Sequence, residues 1–261
     1  MPDERRDSGL KWKRGSDHFE WLEDAWKRYT PSFKSELRVV PISGGIELRL
    51  GKLSDPPRKE WSLVIGDCVQ NLRSALDHMV WQLAPQRARV TTPTDLEFPI
   101  FSDAKKYDGG ALSRIGSLPG AAQQVIESVQ PFHLGAEYAQ DPLWQLQTLS
   151  NIDKHRRLHV GDVSLEALTL DVKGSRLKTI WQATPPPVRA RRGMVLARIA
   201  EAEIRRFGEP SRVLVQPSAV LTIAFEDSEE VTGEGVIGTL RSIRDRVGDV
   251  LDQLDPFVAI I

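Results

Sequence analysis

Apolar residues recur at helical spacing in the first part of the chain, where Phe19, Leu22, Trp26 and Tyr29 follow Ser16, a residue suited to capping a helix. The runs "SELRVV" and "GIELRLGKL" instead alternate apolar and polar residues around "PISGG", which predicts a β-hairpin. After the break "SDPPRKE", a second helix is predicted from about Arg58 to Ala84, where Pro85 stops it. Residues 86 to 119 are rich in turn-formers and show one apolar knot, "FPIF", so they read as a long loop packed over the core. "PGAAQQVIESVQPF" predicts a short helix ended near Pro131, and "DPLWQLQTLSNIDKHRRLH" a longer one with Asp141 as cap and Pro142 in its first turn.

Beyond residue 160 the period changes. "SLEALTLDVKG", "KTIWQAT" and "RVLVQPSAVLTIAFED" read as strands, while "PPPVRARRGMVLARIAEAEIRRFG" fits strand or helix. The closing stretch has Val236, Leu240, Ile243, Val247, Leu251 and Leu254 on one helical stripe. The expected architecture is α+β: a helical bundle half with an N-terminal hairpin over residues 1–160, then a β-rich region with a C-terminal helix over 161–261, the two sharing one core.

Composition narrows the function classes. Of the 261 residues 40% are hydrophobic and 27% charged, a globular profile, and the net charge of -1 supplies no overall attraction to nucleic acid or anionic lipid. The single cysteine, Cys68, allows no internal disulfide and fits a reducing compartment, with cytoplasm the default expectation. No apolar run approaches the roughly 18 residues that a spanning helix needs, so no membrane partner is expected.

Candidate chemistry lies on two helices. With 100° per residue, the second helix puts Cys68, Val69, Leu72, Leu76, Met79, Val80 and Leu83 on a core face, and Asp67, Asn71, Ser74, His78 and Gln82 in a narrow polar stripe opposite. Arg73 and Asp77 stand on a flank, four apart, suited to pair. The helix ending at His159 repeats the layout: Thr148, Asn151, His155 and His159 line up, and Asp153 and Arg157 form a flanking pair. If the helices pack together, the stripes meet along one polar seam.

Three readings of that seam are open. The first is structural: a non-catalytic scaffold or interaction protein in which these groups hydrogen-bond one another and fix helix register. In the second, His78, His155 and His159, with Asp67 or Asp153, hold a divalent metal for hydrolysis, since histidines four apart present both rings on one face. Arg156 follows His155 where a zinc protease carries its glutamate base, so no metal or other cofactor is expected. The third is metal-free acid-base chemistry, with His78 moving a proton and Arg73 stabilising charge on a phosphate. No P-loop, dinucleotide fingerprint or serine elbow occurs in the chain.

The blocks "GDCVQNLRSALDHMVWQL", "FPIF", "QPF" and "LSNIDKHRRLH", in that order, resemble an uncharacterised bacterial protein family that shares them. Their segment Arg73 to His78 also resembles the signature of the HEPN superfamily, an arginine and a histidine with four to six residues between them on a helix facing a dimer partner. Ser74 follows the arginine where the superfamily pattern has Asn, Asp or His. The likeness implies a metal-independent RNase, in a toxin or phage-defence setting, acting on RNA as a homodimer with Arg73 and His78 as catalytic residues. Five positions of separation place these two side chains about 140° apart on their helix, so a second copy would be needed to bring an arginine and a histidine to one phosphate.

Overall fold

The computed structural model describes residues 1–4, 6–29, 37–51, 57–155, 158, 160–173, 178–181, 188–189, 193, 195–201, 214–225 and 235–258. Helix α1 spans Asp7–Tyr29 and buries Trp12, Phe19 and Leu22. It begins nine residues before Ser16, the cap expected from sequence, which therefore lies inside the helix. Gly9 and Gly15 dilute the apolar period there, and Gly15 serves close packing: a Cβ on it would stand 2.8 Å from Leu72 Cγ. The Ser8 hydroxyl donates to Gln82 Oε1 at 2.8 Å, setting α1 antiparallel to the next long helix.

The hairpin forms as its alternation predicts, with β1 at Leu37–Ile42 and β2 at Gly45–Leu50. Its turn places Gly44 at φ 82°, a conformation that glycine adopts without strain. Helix α2, Arg58–Leu83, buries all seven residues of its expected core face and ends at Pro85. The predicted long loop over residues 86–119 is corrected: it contains α3, Gln86–Thr91, and α4, Ala104–Ile115. The local signal for α4 was the carboxylate of Asp103, which caps it by accepting from the Lys106 amide at 3.0 Å.

Helix α5 covers Gly120–Ser128, a 3₁₀ segment Pro131–Gln140, and α6 Pro142–His155. Asp141 caps α6 by accepting from the Leu143 amide at 2.8 Å. Strand β3, Val160–Lys173, pairs antiparallel with β4 (Lys178–Trp181), β5 (Val188–Arg189) and β7 (Leu214–Phe225). The ambiguous stretch after "PPP" supplies β5 and also β6, Val195–Ala200, which joins β2 as the third strand of the hairpin sheet. Helix α7, Gly235–Leu254, is followed by a 3₁₀ turn, Asp255–Phe257, and buries its whole expected stripe.

The architecture is α+β. Helix α1 packs on α2 and α7, α2 on α6 and α7, and α6 on α7. One continuous buried cluster takes residues from α1, β2, α2, the 96–101 segment, α4, α5, α6 and α7, so the closing helix belongs to the core of the N-terminal helices. Among the described residues, no helix is long and apolar enough to cross a membrane.

Candidate functional site

The polar residues of α2 divide between two environments. Arg73 faces inward and is only 3% exposed. Its Nη2 donates to the Phe98 carbonyl at 2.8 Å and to Glu97 Oε1 at 2.7 Å, and lies 3.2 Å from Asp77 Oδ1. Asp77 accepts from the Phe98 amide at 2.9 Å. The expected i, i+4 pair exists, and both members also hold the peptide groups of one distant residue.

That residue belongs to an extended segment, Leu96 to Phe101, which pairs with no strand among the described residues. Leu96, Phe98 and Ile100 are buried, so the backbone between them leaves water and its polar groups need partners. Side chains supply them. Gln130, 2% exposed, donates from Nε2 to the Pro99 carbonyl at 2.8 Å and the Ile126 carbonyl at 2.9 Å, and its Oε1 accepts from the Phe101 amide at 3.0 Å. Arg73, Asp77 and Gln130 thus replace a neighbouring strand. Arg114 lies 3.7 Å from Glu97 at the outer edge and over the Phe101 ring.

Burial pushes the Asp77 carboxyl above its ordinary range, while the Arg73 charge and the Phe98 amide pull it back. Arg73 Nη1 is buried without a hydrogen-bond partner among the described residues. Cys68 lies in the core, where burial raises its thiol to about 12, so it is protonated and unreactive at neutral pH.

The expected seam between the two polar helices does not form as drawn. Helices α2 and α6 are packed neighbours, but they meet through Gly66 and Gln70 on one and Ser150 and Asp153 on the other. A Cβ on Gly66 would stand 2.6 Å from Asp153 Oδ1, and Gln70 Nε2 donates to Asp153 Oδ2 at 3.2 Å and to the Ser150 carbonyl at 3.3 Å. Small and polar residues mark this contact, a signal that a search for apolar faces passes over.

Of the remaining stripe residues, Gln82 bonds to Ser8 of α1, and two asparagines stay on their own helices. Asn71 donates to the Asp67 carbonyl at 2.7 Å, and Asn151 accepts from Gln147 at 3.3 Å. His78 is half-buried on the outer side of α2 and has no hydrogen-bond partner among the described residues. His155 is exposed at the end of α6, and His159 and Arg157 lie outside the described residues. Among the described residues no three His, Cys, Asp or Glu side chains are grouped to hold a metal ion.

Glu97, Phe98 and Gln130 were not expected from the sequence to belong to the site, although Phe98 and Gln130 lie in the blocks "FPIF" and "QPF". Each is at least 20 positions from its partner on α2 or the 96–101 segment, apart from the stretch it adjoins, so no local period reveals the contact. Comparison of the chain with family models, curated proteins and solved structures gives no match in any of the three.

Proposed function

We propose that the protein is a non-catalytic structural or interaction module working in the cytoplasm, and that the polar residues of α2 and α6 serve its fold. The observation that carries this reading is the state of Arg73: 3% exposed, with its guanidinium committed to the Phe98 carbonyl and two carboxylates. Nη2 makes all three contacts and Nη1 is sealed from solvent, so a phosphate could reach Arg73 only by lifting the segment above it. Breaking a fully buried pair costs about 3–5 kcal/mol, and the one-third exposure of Asp77 and Glu97 lowers that figure here.

A second reading keeps the HEPN-like helical bundle and a metal-independent RNase acting on RNA as a homodimer. It is favoured by the Arg73 to His78 spacing and by His78, half-buried with both ring nitrogens unbonded among the described residues. The two readings part in one experiment. Wild type, Arg73→Ala and His78→Ala are measured for RNA cleavage with and without chelator, and for thermal unfolding in the same preparations. The structural reading expects no cleavage by wild type, a large loss of stability in Arg73→Ala and little change in His78→Ala. Chelator-resistant cleavage that His78→Ala abolishes at unchanged stability would establish the RNase instead.

A further inference from the structure

The sheet formed by β1, β2 and β6 turns one face to the core and the other outward. Leu48 and Leu50 of β2 are buried in the core, so the alternate positions, Glu47 and Arg49, lie on the outer face. The register brings their neighbours to the same side: Arg38 of β1 stands opposite Arg49, and Arg198 of β6 opposite Glu47. Three arginines and one carboxylate thus share adjacent rows of this small sheet.

The carboxylate is already saturated. Arg49 donates from Nε to Glu47 Oε2 at 2.8 Å, with its Nη2 2.6 Å from the same oxygen, and Arg198 donates from Nε to Oε1 at 2.9 Å. The two guanidiniums cover Glu47, whose side chain is 5% exposed, while they themselves are 45% and 73% exposed. Arg49 Nη1 and both Nη groups of Arg198 keep their N–H donors unanswered among the described residues. Arg38 is exposed and has no hydrogen bond or ion pair there at all. Like charges directly opposite one another destabilise a sheet, so the register of Arg38 with Arg49 is a cost that nothing described offsets. Glu201, next along the chain after β6, falls one position out of this face.

Sequence adds positive charge at one end of the face. The Gly193 amide donates to the Leu50 carbonyl at 2.7 Å, next to Arg49, and the run that leads into it, "RARRG", carries three more arginines. The other positions on the face, Val40, Ile42 and Val195, are aliphatic, so among the described residues it offers no ring on which a base could stack. Guanidinium forks match phosphate oxygens, and an open sheet surface suits an extended polyanion better than an enclosed small molecule. Rows of the face repeat every second residue, about 6.8 Å along a strand, close to the step between successive phosphates of an extended single strand.

We infer that the outer face of this sheet binds the phosphodiester backbone of a single-stranded nucleic acid, with Arg38 and the outward N–H groups of Arg49 and Arg198 on phosphate oxygens and Glu47 positioning the latter two. The chain's net charge of -1 supplies no general attraction, so binding rests on this patch. It reads the backbone and not the bases, and is therefore insensitive to sequence. The inference goes beyond the structural reading of α2, and neither depends on the other.

Fluorescence anisotropy of a labelled 2′-O-methyl oligouridylate, which cannot be cut through its 2′-hydroxyl, tests it on the full chain. Saturable binding is expected, weakening with salt by a slope of about -0.7 in log K against log salt for each phosphate engaged. Arg38→Gln has no partner to lose, so it should weaken binding several-fold and reduce that slope by about 0.7, with thermal unfolding no lower than wild type. The Arg38→Gln, Arg198→Gln double variant should weaken binding roughly tenfold. Lys105→Gln, Lys106→Gln makes the same change of charge on the exposed start of α4 and should leave the affinity close to wild type. Absence of saturable binding, wild-type affinity in Arg38→Gln, equal weakening by the two double variants, or tighter binding of an oligoglutamate of equal charge would each overturn the assignment.

Discussion

Arg73 and Asp77, one helical turn apart, grip the two peptide units that flank one residue: the arginine donates to the Phe98 carbonyl and the aspartate accepts from the Phe98 amide. The pair therefore acts as a short strand edge presented by a helix. An i, i+4 ion pair on a helix surface contributes a few tenths of a kcal/mol. This one is worth far more, because it covers the backbone that burying Phe98 strips of water.

Arg73→Ala is accordingly expected to lose less than the roughly 3–5 kcal/mol of a fully buried pair, because Asp77 and Glu97 are about a third exposed, and more than the few tenths of a surface pair. In a double-mutant cycle with Asp77→Ala, the two losses should fall short of additivity by about 0.5–3 kcal/mol, since each substitution disables the same grip. Urea unfolding of the four proteins measures both quantities. Additive losses would mean that the two side chains hold separate things.

Stability should also depend on pH through Asp77, and the sign follows from its environment. Burial raises its folded-state pKa above the ordinary 3.8, so the fold favours the neutral carboxyl. The contribution is complete below 3.8 and is lost as pH rises through the raised folded value. Asp77→Asn cannot ionise and still offers Phe98 an acceptor. Measured by urea unfolding at fixed ionic strength, wild type should lose ground to Asp77→Asn as pH climbs through this window. Glu47 should behave in the opposite sense, because its hydrogen bonds with Arg49 and then Arg198 hold its carboxyl below the ordinary 4.5. Its contribution is lost as pH falls, and Glu47→Gln serves as the comparison.

Gly66 and Gly15, both in helix–helix contacts, should respond differently to alanine. At Gly66 the obstacle is the end of the Asp153 side chain, which can swing away at the cost of its bond to Gln70, about 1 kcal/mol. Removing a glycine from a helix returns about the same amount, so Gly66→Ala should be close to neutral. At Gly15 the obstacles are the branch carbon of Leu72 and the Cys68 carbonyl, both fixed in the core. Overpacking there typically costs about 1–3 kcal/mol. Thermal unfolding that ranks Gly66→Ala below Gly15→Ala would contradict this account of both contacts.

These contacts explain which parts of the molecule the sequence disclosed. The core face of α2, the stripe of α7 and the hairpin around Gly44 depend on residues three or four positions apart, or two, and their periods could be counted directly. The pairing of Arg73 with Asp77 was legible for the same reason. Its object was not, because Phe98 is more than 20 residues away and touches the pair through backbone atoms that every residue possesses. The polar seam failed on a related point. A stripe of Asn71, His78, Asn151 and His155 looks alike whether it meets a partner or water, whereas Gly66 and Gln70, which do make the contact with α6, carry no periodic mark. The expected start of α1 at Ser16 erred because Gly15 reads locally as a break, and only Leu72 across the interface gives it a packing role.

Three of the short blocks quoted from the sequence also acquire a physical meaning. Arg73 and Asp77 come from "NLRSALDH", Phe98, Pro99 and Phe101 from "FPIF", and Gln130 from "QPF", and they bond to one another. If this set anchors the 96–101 segment, its two ends should respond separately. Gln130→Ala removes three hydrogen bonds and leaves the Phe101 amide and Pro99 carbonyl unanswered, each at about 1–3 kcal/mol. Hydrogen exchange should then accelerate at the Phe101 amide more than at Phe98, which Asp77 still holds. In Asp77→Ala the order should reverse, with Phe98 the faster of the two. Both substitutions should leave the protection of α7 amides reduced only by the global loss of stability, since neither residue bonds to that helix. Equal acceleration at Phe98 and Phe101 in both variants would show that the segment opens as one unit. The side chains would then support it jointly, and the division into two anchoring points would be withdrawn.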